Sequence, residues 1–469
     1  MNRNISFSKV VCLLLGISLM YHIFLTILFY VQYYTTPLRK FGRLLNGVII
    51  LLLVARFLYD YVIKKEKDKV NRILKKYMIK ENMFLLLFFL WLYFGCLRKM
   101  IVSGSAFMGE NSVYLITVGI KLFLAFLFAQ YVNGNKRILH ILFRTLIGGL
   151  TIAMVFVLCQ LVLNEGFIYR NTKLFMNILV RFDGDDSFGR LRITVNPNLI
   201  GMYAKTIIML CVYMFFEVKN RFRYVYVGAG VIHYIILVFT DCRAAILSLA
   251  VGLGLIAAFY WWDRLYTKKM GIRILVAALV FLFSFGLVDS MRRPTVYGYK
   301  ILRSWVTGEK LDLETGKRNL LKNSSGRGPI YLAAIRSMRH PEAAVFGATP
   351  DGIIDLLDNE MEKPMHMYSH NEFLEVMCAT GIPGLLLFLG WLGLSAWDGA
   401  RVFFNVKKKF TFSERVLMMV CLVELANNMM EARLTFYPNL SGMIFYLAAG
   451  YAVVFAQRLK KPVEEKQTS

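Results

Sequence analysis

The sequence predicts an all-α polytopic membrane protein of about twelve transmembrane helices with a large, partly helical extracytoplasmic loop. Three observations predict it. Of 469 residues, 57% are hydrophobic. Only 18% are charged, whereas soluble proteins carry about 25%. Long apolar stretches also recur at short intervals, each near the ~20 residues that cross ~30 Å of hydrocarbon. Such stretches must be helices, because hydrocarbon offers backbone N–H and C=O groups no other partner.

In order, the expected spans are 9–33, 44–63, 83–103, 112–132, 139–163, 198–217, 223–240, 244–262, 272–290, 371–397, 414–432 and 438–457. Arg3 and Lys9 precede a first stretch too long for a signal peptide and without a small-residue cleavage site, so it is expected to be retained. Arg98 and Lys99 interrupt the third span, and Glu424, Asn427 and Asn428 interrupt the eleventh. The chain thus divides into helices one to five (1–163), a first outer loop (164–197), helices six to nine (198–290), a large outer loop (291–369), helices ten to twelve (370–457) and a tail (458–469). Within the large loop, the apolar periodicity from Pro329 to Met338 predicts a helix.

A formal charge of +26 would suit nucleic acid, but its placement points to membrane topology. Basic residues cluster in alternate gaps: Lys64 to Lys80, Lys136 and Arg137, Lys219 to Arg223, Arg264 to Arg273, Arg401 to Arg415, and the tail from Arg458. Cytoplasmic gaps carry this excess, so both termini are expected inside and no nucleic-acid partner is expected. Arg39, Lys40 and Arg43 dissent by falling outside. Seven cysteines form no CxxC pair or metal-ligand spacing and read as core filler.

Four groups near the outer face could do chemistry. The first opens SHNEFLEVMCATGIPGLLLF, where His370 precedes an apolar run. A helix N-terminus favours anions and a neutral imidazole, which suits a base near pH 7. Gly381 and Gly384, flanking Pro383, would let the helix bend or a neighbour approach. The plainer alternative is an interfacial histidine beside a capping Asn371 and packing glycines. In GRLRITVNPNLIGMY, Arg190 and Arg192 precede an Asn-Pro-Asn turn in which Asn196 and Asn198 are candidate caps. These arginines could equally be solvated loop charge. Asp241-Cys242-Arg243 fills a short outer turn, either as a functional charge or as a surface Asp241–Arg243 pair. Arg327 opens the loop helix, and Arg336 and Arg339 near its end complement its dipole. Arginines and one histidine thus gather on one membrane face, with none comparable at mid-membrane. Guanidinium groups offer paired donors to phosphate oxygens. No Asp/Glu cluster argues for a metal; Asp185-Asp186 is an unspecific loop feature.

The stretches RLRITVNPN, DCRAAILSLA, SGRGPIYLAAIRSMRHPEAAVFGATPDG and SHNEFLEVMCATGIPGLLLF together resemble the O-antigen ligase and O-antigen polymerase family of bacterial envelopes. The resemblance covers Gly189 to Gly390. It implies a plasma-membrane glycosyltransferase that moves a glycan from a polyprenyl-pyrophosphate carrier to a hydroxyl of a glycan or glycolipid acceptor, without metal or cofactor. It makes His370 the base; Glu372, close in sequence, is the second candidate on position alone. Arg243 becomes the pyrophosphate ligand, Arg190 or Arg192 its partner, and Arg327 a further arginine of the substrate site. Polymerase and ligase share this donor chemistry and differ in acceptor. The alternatives are a lipid-linked oligosaccharide flippase or other transporter, which Glu424 with Asn427 and Asn428 would favour, and a non-catalytic scaffold.

Overall fold

A computed structural model of the chain describes residues 78–103, 110–163, 182–185, 191–193, 197–265, 267–308, 327–404, 410–436 and 440–460, with scattered positions between 16 and 59. The two expected spans before residue 78 therefore lie outside the described residues. Fourteen helices are described: α1 (Lys80–Ser103), α2 (Glu110–Tyr131), α3 (Lys136–Leu163), α4 (Pro197–Glu217), α5 (Arg223–Thr240), α6 (Arg243–Arg264), α7 (Met270–Ser290), α8 (Arg292–Thr307), α9 (Gly328–Ser337), α10 (Pro341–Phe346), α11 (Ile353–Asp358), α12 (Glu372–Phe403), α13 (Phe412–Asn428) and α14 (Leu440–Lys460). A two-stranded antiparallel ribbon, β1 (Phe182–Asp185) with β2 (Leu191–Ile193), lies between α3 and α4. Among the described residues, eight helices are long and apolar enough to cross a membrane, so this is a multi-pass membrane protein.

Burial sorts these helices. The apolar stretch of α14 is 94% buried and that of α4 is 83%, whereas the α7–α8 stretch is 6% buried. The first two are therefore central and the last faces outward. Around the centre, α14 packs on α2, α12 and α13, while α13 also packs on α4 and α6. Trp391 of α12 stacks on Tyr446 of α14 with centroids 4.7 Å apart, a geometry aromatic pairs favour when offset. Ion pairs gather at the two ends of the bundle. At one end, Lys136 sits 3.2 Å from Glu414, and Arg415 sits 2.6 Å from Asp263. At the other, Arg98 of α1 meets Glu342 at 2.6 Å, and Lys99 donates to the Ala348 carbonyl at 3.0 Å. The two charges that interrupt the third span thus tie α1 to the segment 327–371. That end is called the loop end below.

Two expectations change. The eleventh span does not run to residue 432: α13 stops at Asn428, whose side-chain oxygen accepts from the Arg433 amide at 2.8 Å. The spans also hold more ionisable groups than the outer-face pattern implied. Lys205 and His233 lie buried inside α4 and α5.

Helix α12 breaks at Gly381, where φ is 69° and ψ is −174°. Pro383 lacks an N–H, and the break frees further carbonyls of the turn before it. Each is taken by a neighbour. The amides of Ala348 and Thr349 donate to the carbonyls of Cys378 and Ala379, at 2.8 and 3.1 Å. The Trp91 indole donates to that of Thr380 at 2.9 Å. A β-carbon on Gly381 would fall 2.5 Å from the Val345 carbonyl oxygen, so α10 and α12 touch backbone to backbone there. Gly381→Ala is therefore expected to cost at least the ~1–2 kcal/mol of a left-handed residue and to part α10 from α12. A thermal-shift measurement in detergent reads the first effect, and faster proteolysis of the 340–365 segment reads the second.

Candidate functional site

The site is built where the entry of α12 meets the segment that follows α13. Asn371 caps α12: its side-chain oxygen accepts from the amides of Phe373 (3.0 Å) and Leu374 (3.2 Å). Its Nδ2 donates to the Met429 carbonyl at 2.9 Å, so the cap also grips the segment 429–436. Glu372, 1% exposed, accepts from the amides of Leu434 and Thr435, both at 2.9 Å, one on each oxygen. Glu375 accepts from the Ser369 amide at 2.9 Å and from the Ser369 hydroxyl. These bonds fix the backbone on both sides of His370, which adopts a left-handed φ of 53°.

Three of the residues singled out in the sequence converge here on a fourth that was not. Glu431 is 2% exposed. Its Oε1 lies 3.5 Å from His370 Nδ1 and accepts from Asn198 Nδ2 at 3.4 Å. Its Oε2 accepts from Arg327 Nη2 at 3.0 Å, and the other terminal nitrogen of Arg327 donates to the Met430 carbonyl. Burial alone would raise the Glu431 pKa. The His370 contact and the positive fields of His370, Arg327 and Arg433 outweigh it and hold the carboxylate below its ordinary value. Glu431 is thus a buried, ionised acceptor, with His370 and Arg327 both about a fifth exposed above it.

Arg243 is reached through α4. One turn beyond Asn198, Gly201 packs directly against Cys242 and Thr240; a β-carbon there would lie 2.5 Å from that of Cys242. Arg243 opens α6 immediately after, half-buried, at the same end of the bundle. Asp241 is engaged by Arg292 at the head of α8, which also meets Asp289 at 3.0 Å. The charge in this turn is thus neutralised from α8. Strand β2, which carries Arg192, borders α4 and α5. Arg190 and Asn196 lie outside the described residues, and for Arg192 only the backbone is described. Asn198 is not a cap: α4 begins at Pro197, which places Asn198 inside the first turn and frees its amide for Glu431. Arg336 and Arg339 are exposed near the end of α9. Among the described residues, no three His, Cys, Asp or Glu side chains gather as a metal-ion set.

Residues 228–389 match the family model described as O-antigen ligase. This stretch is similar to O-antigen ligases. The match runs from within α5 to beyond the break in α12, so it contains Arg243, Arg327, His370 and Asn371. Asn198 and Glu431, which complete the cluster, lie on either side of it. The search of curated proteins returned no match.

Sequence reasoning missed Glu431, Arg433, Arg292 and Lys205. A signal existed for the first two: Glu431-Ala432-Arg433 is a charged triplet beside the narrow gap between the last two expected spans. Charges at such a lip are costly unless paired or functional.

Proposed function

We propose that the protein transfers a glycan from a polyprenyl-pyrophosphate carrier to an acceptor hydroxyl at the extracytoplasmic face of the bacterial plasma membrane. The observation that carries this reading is the meeting of His370, Arg327 and Asn198 on one carboxylate, beside the turn that presents Arg243. The loop end is then the outer face, and both termini are cytoplasmic, as the basic gaps require. His370 takes the proton of the acceptor hydroxyl. The acceptor oxygen attacks the anomeric carbon, and the carbon–oxygen bond to pyrophosphate breaks with its electron pair leaving on the phosphate. Arg243, with Arg190 or Arg192 from the first outer loop, neutralises that charge, so no metal is needed. Attack without a covalent intermediate inverts the anomeric carbon. Glu372 serves as an anchor and not as a base, because backbone amides occupy both its oxygens.

The transport alternative leaned on Glu424 with Asn427 and Asn428, of which Glu424 carries the charge. That carboxylate is fully buried and satisfied by Lys205, Thr206 and Ser441, which suits a packed strut more than a pathway. The test is transfer by purified protein in liposomes from a synthetic polyprenyl-pyrophosphate glycan, with and without a chelator. Wild-type protein is expected to release polyprenyl pyrophosphate and elongated glycan in both. Arg243→Ala is expected to raise the donor KM and lower kcat/KM about 10²-fold or more, by losing a charge aimed at the leaving group. Wild-type kinetics in that variant would remove Arg243 from the site. Translocation without transfer would favour the flippase. Single repeat units and finished glycan, offered as alternative donors, separate polymerase from ligase.

A further inference from the structure

Resting on the transferase reading, we infer that Glu431 is a positioning residue that fixes which nitrogen of His370 acts as the base, and that Arg327 serves Glu431 and not the pyrophosphate.

The first support is redundancy. The segment 429–436 is already held by Asn371, Glu372 and Asn428 through four hydrogen bonds to its backbone. Its folding does not need a carboxylate at 431. A buried carboxylate costs several kcal/mol unless it is paired, and this one is paired with the groups around His370. The second support is orientation. His370 presents Nδ1 to Glu431 Oε1 at 3.5 Å. An ionised carboxylate there favours a proton on Nδ1, which leaves the lone pair on Nε2 as the base. When Nε2 takes the acceptor proton, the imidazolium is stabilised by the same carboxylate, and the proton then passes to the departing pyrophosphate or to water. The third support is the placement of Arg327. Each of its terminal nitrogens gives an N–H to this segment, one to Glu431 and one to the Met430 carbonyl. It holds the carboxylate in place, and the leaving group falls to Arg243 and the arginines of the first outer loop.

Charged groups from three elements surround the His370–Glu431 contact. From the segment after α13 come Glu431 and Arg433, and from the head of α9 comes Arg327. On its own helix, Glu372 and Glu375 are already engaged by backbone donors. Glu431 is thus the carboxylate that meets the ring.

The test is Glu431→Gln, which keeps shape and removes charge, assayed in liposomes. We expect kcat to fall about 10–100-fold, as for lost groups that orient an active imidazole. Donor KM should stay unchanged within about twofold. Glu431→Asp should restore part of the rate. A folded Gln variant with wild-type rate overturns the proposal. So does a pair of variants that lose only thermal stability. Nitrogen-15 chemical shifts of the His370 ring in wild-type protein read the tautomer without turnover. Protonated Nδ1 is expected, and protonated Nε2 overturns the assignment. Wild-type protein that transfers no glycan sinks the transferase reading, while the tautomer measurement still decides the Glu431 contact.

Discussion

His370→Asn is expected to lower kcat for glycan transfer by ~10²–10⁴-fold, the range a positioned base contributes, while leaving the amount of folded protein unchanged. Asparagine is a better probe than alanine here. His370 sits at φ 53°, a left-handed conformation that asparagine tolerates and alanine resists by ~1–2 kcal/mol. A loss in the alanine variant could then come from the backbone, whereas a loss in the asparagine variant comes from the imidazole. Donor KM should stay within a few-fold, because the ring acts on the acceptor proton and the leaving group is held by arginines. That split separates His370 from Arg243, whose loss should appear in donor binding. Transfer within about fivefold of wild type in His370→Asn would remove the base from the mechanism, and attention would pass to the Glu431 carboxylate beside it.

What was legible in the sequence follows from how each signal is encoded. Spans are encoded locally, as runs of apolar residues, and so α4, α5, α6 and α7 begin and end within a residue or two of the expected bounds. The break in α12 is also local: Gly-Ile-Pro-Gly removes an amide and admits a positive φ. Which groups would fill the freed carbonyls was not legible, because Trp91, Ala348 and Thr349 come from distant parts of the chain. The site divides in the same way. His370 and Asn371 announce themselves by preceding an apolar run. Glu431 does not, because Met429 and Met430 extend the apolar character of α13 past its true end. Hydropathy carried the expected span to residue 432, whereas the Asn428 side chain stops the helix by accepting from the Arg433 amide. Asn198 stands two residues past the cap position of α4. The Asn-Pro-Asn turn signals a helix start, but Pro197 takes the first helical position and turns Asn198 from a cap into a hydrogen-bond donor to Glu431.

Lys205 escaped notice for a different reason: one amine in a long apolar run hardly changes the run, and its partner lies 219 residues away. In the folded chain Lys205 Nζ meets Glu424 Oε2 at 2.6 Å, and both side chains are fully buried. Thr206 donates to Glu424 Oε1 at 2.7 Å, and Ser441 of α14 donates to Oε2. The pair therefore joins α4, α13 and α14, the helices that carry Asn198 and the Glu431 segment at their loop ends. Removing one member of such a pair leaves an uncompensated charge in a low-dielectric interior, a loss of about 3–5 kcal/mol. Glu424→Leu is expected to reach that range, since it strands the amine and two hydroxyl donors together. Lys205→Met should cost less, because Thr206 and Ser441 still donate to the carboxylate. The double variant Lys205→Met/Glu424→Leu should recover most of the loss, since hydrophobic replacements of a buried pair are often neutral. Thermal unfolding in detergent reads all three, and additive losses in the double variant would show that the two charges do not act as a pair. Transfer activity then separates strut from participant. A strut predicts that the double variant regains activity along with stability, because Asn198 and Glu431 return to register. A stable double variant without transfer would mean that the charge pair itself takes part in the chemistry above it.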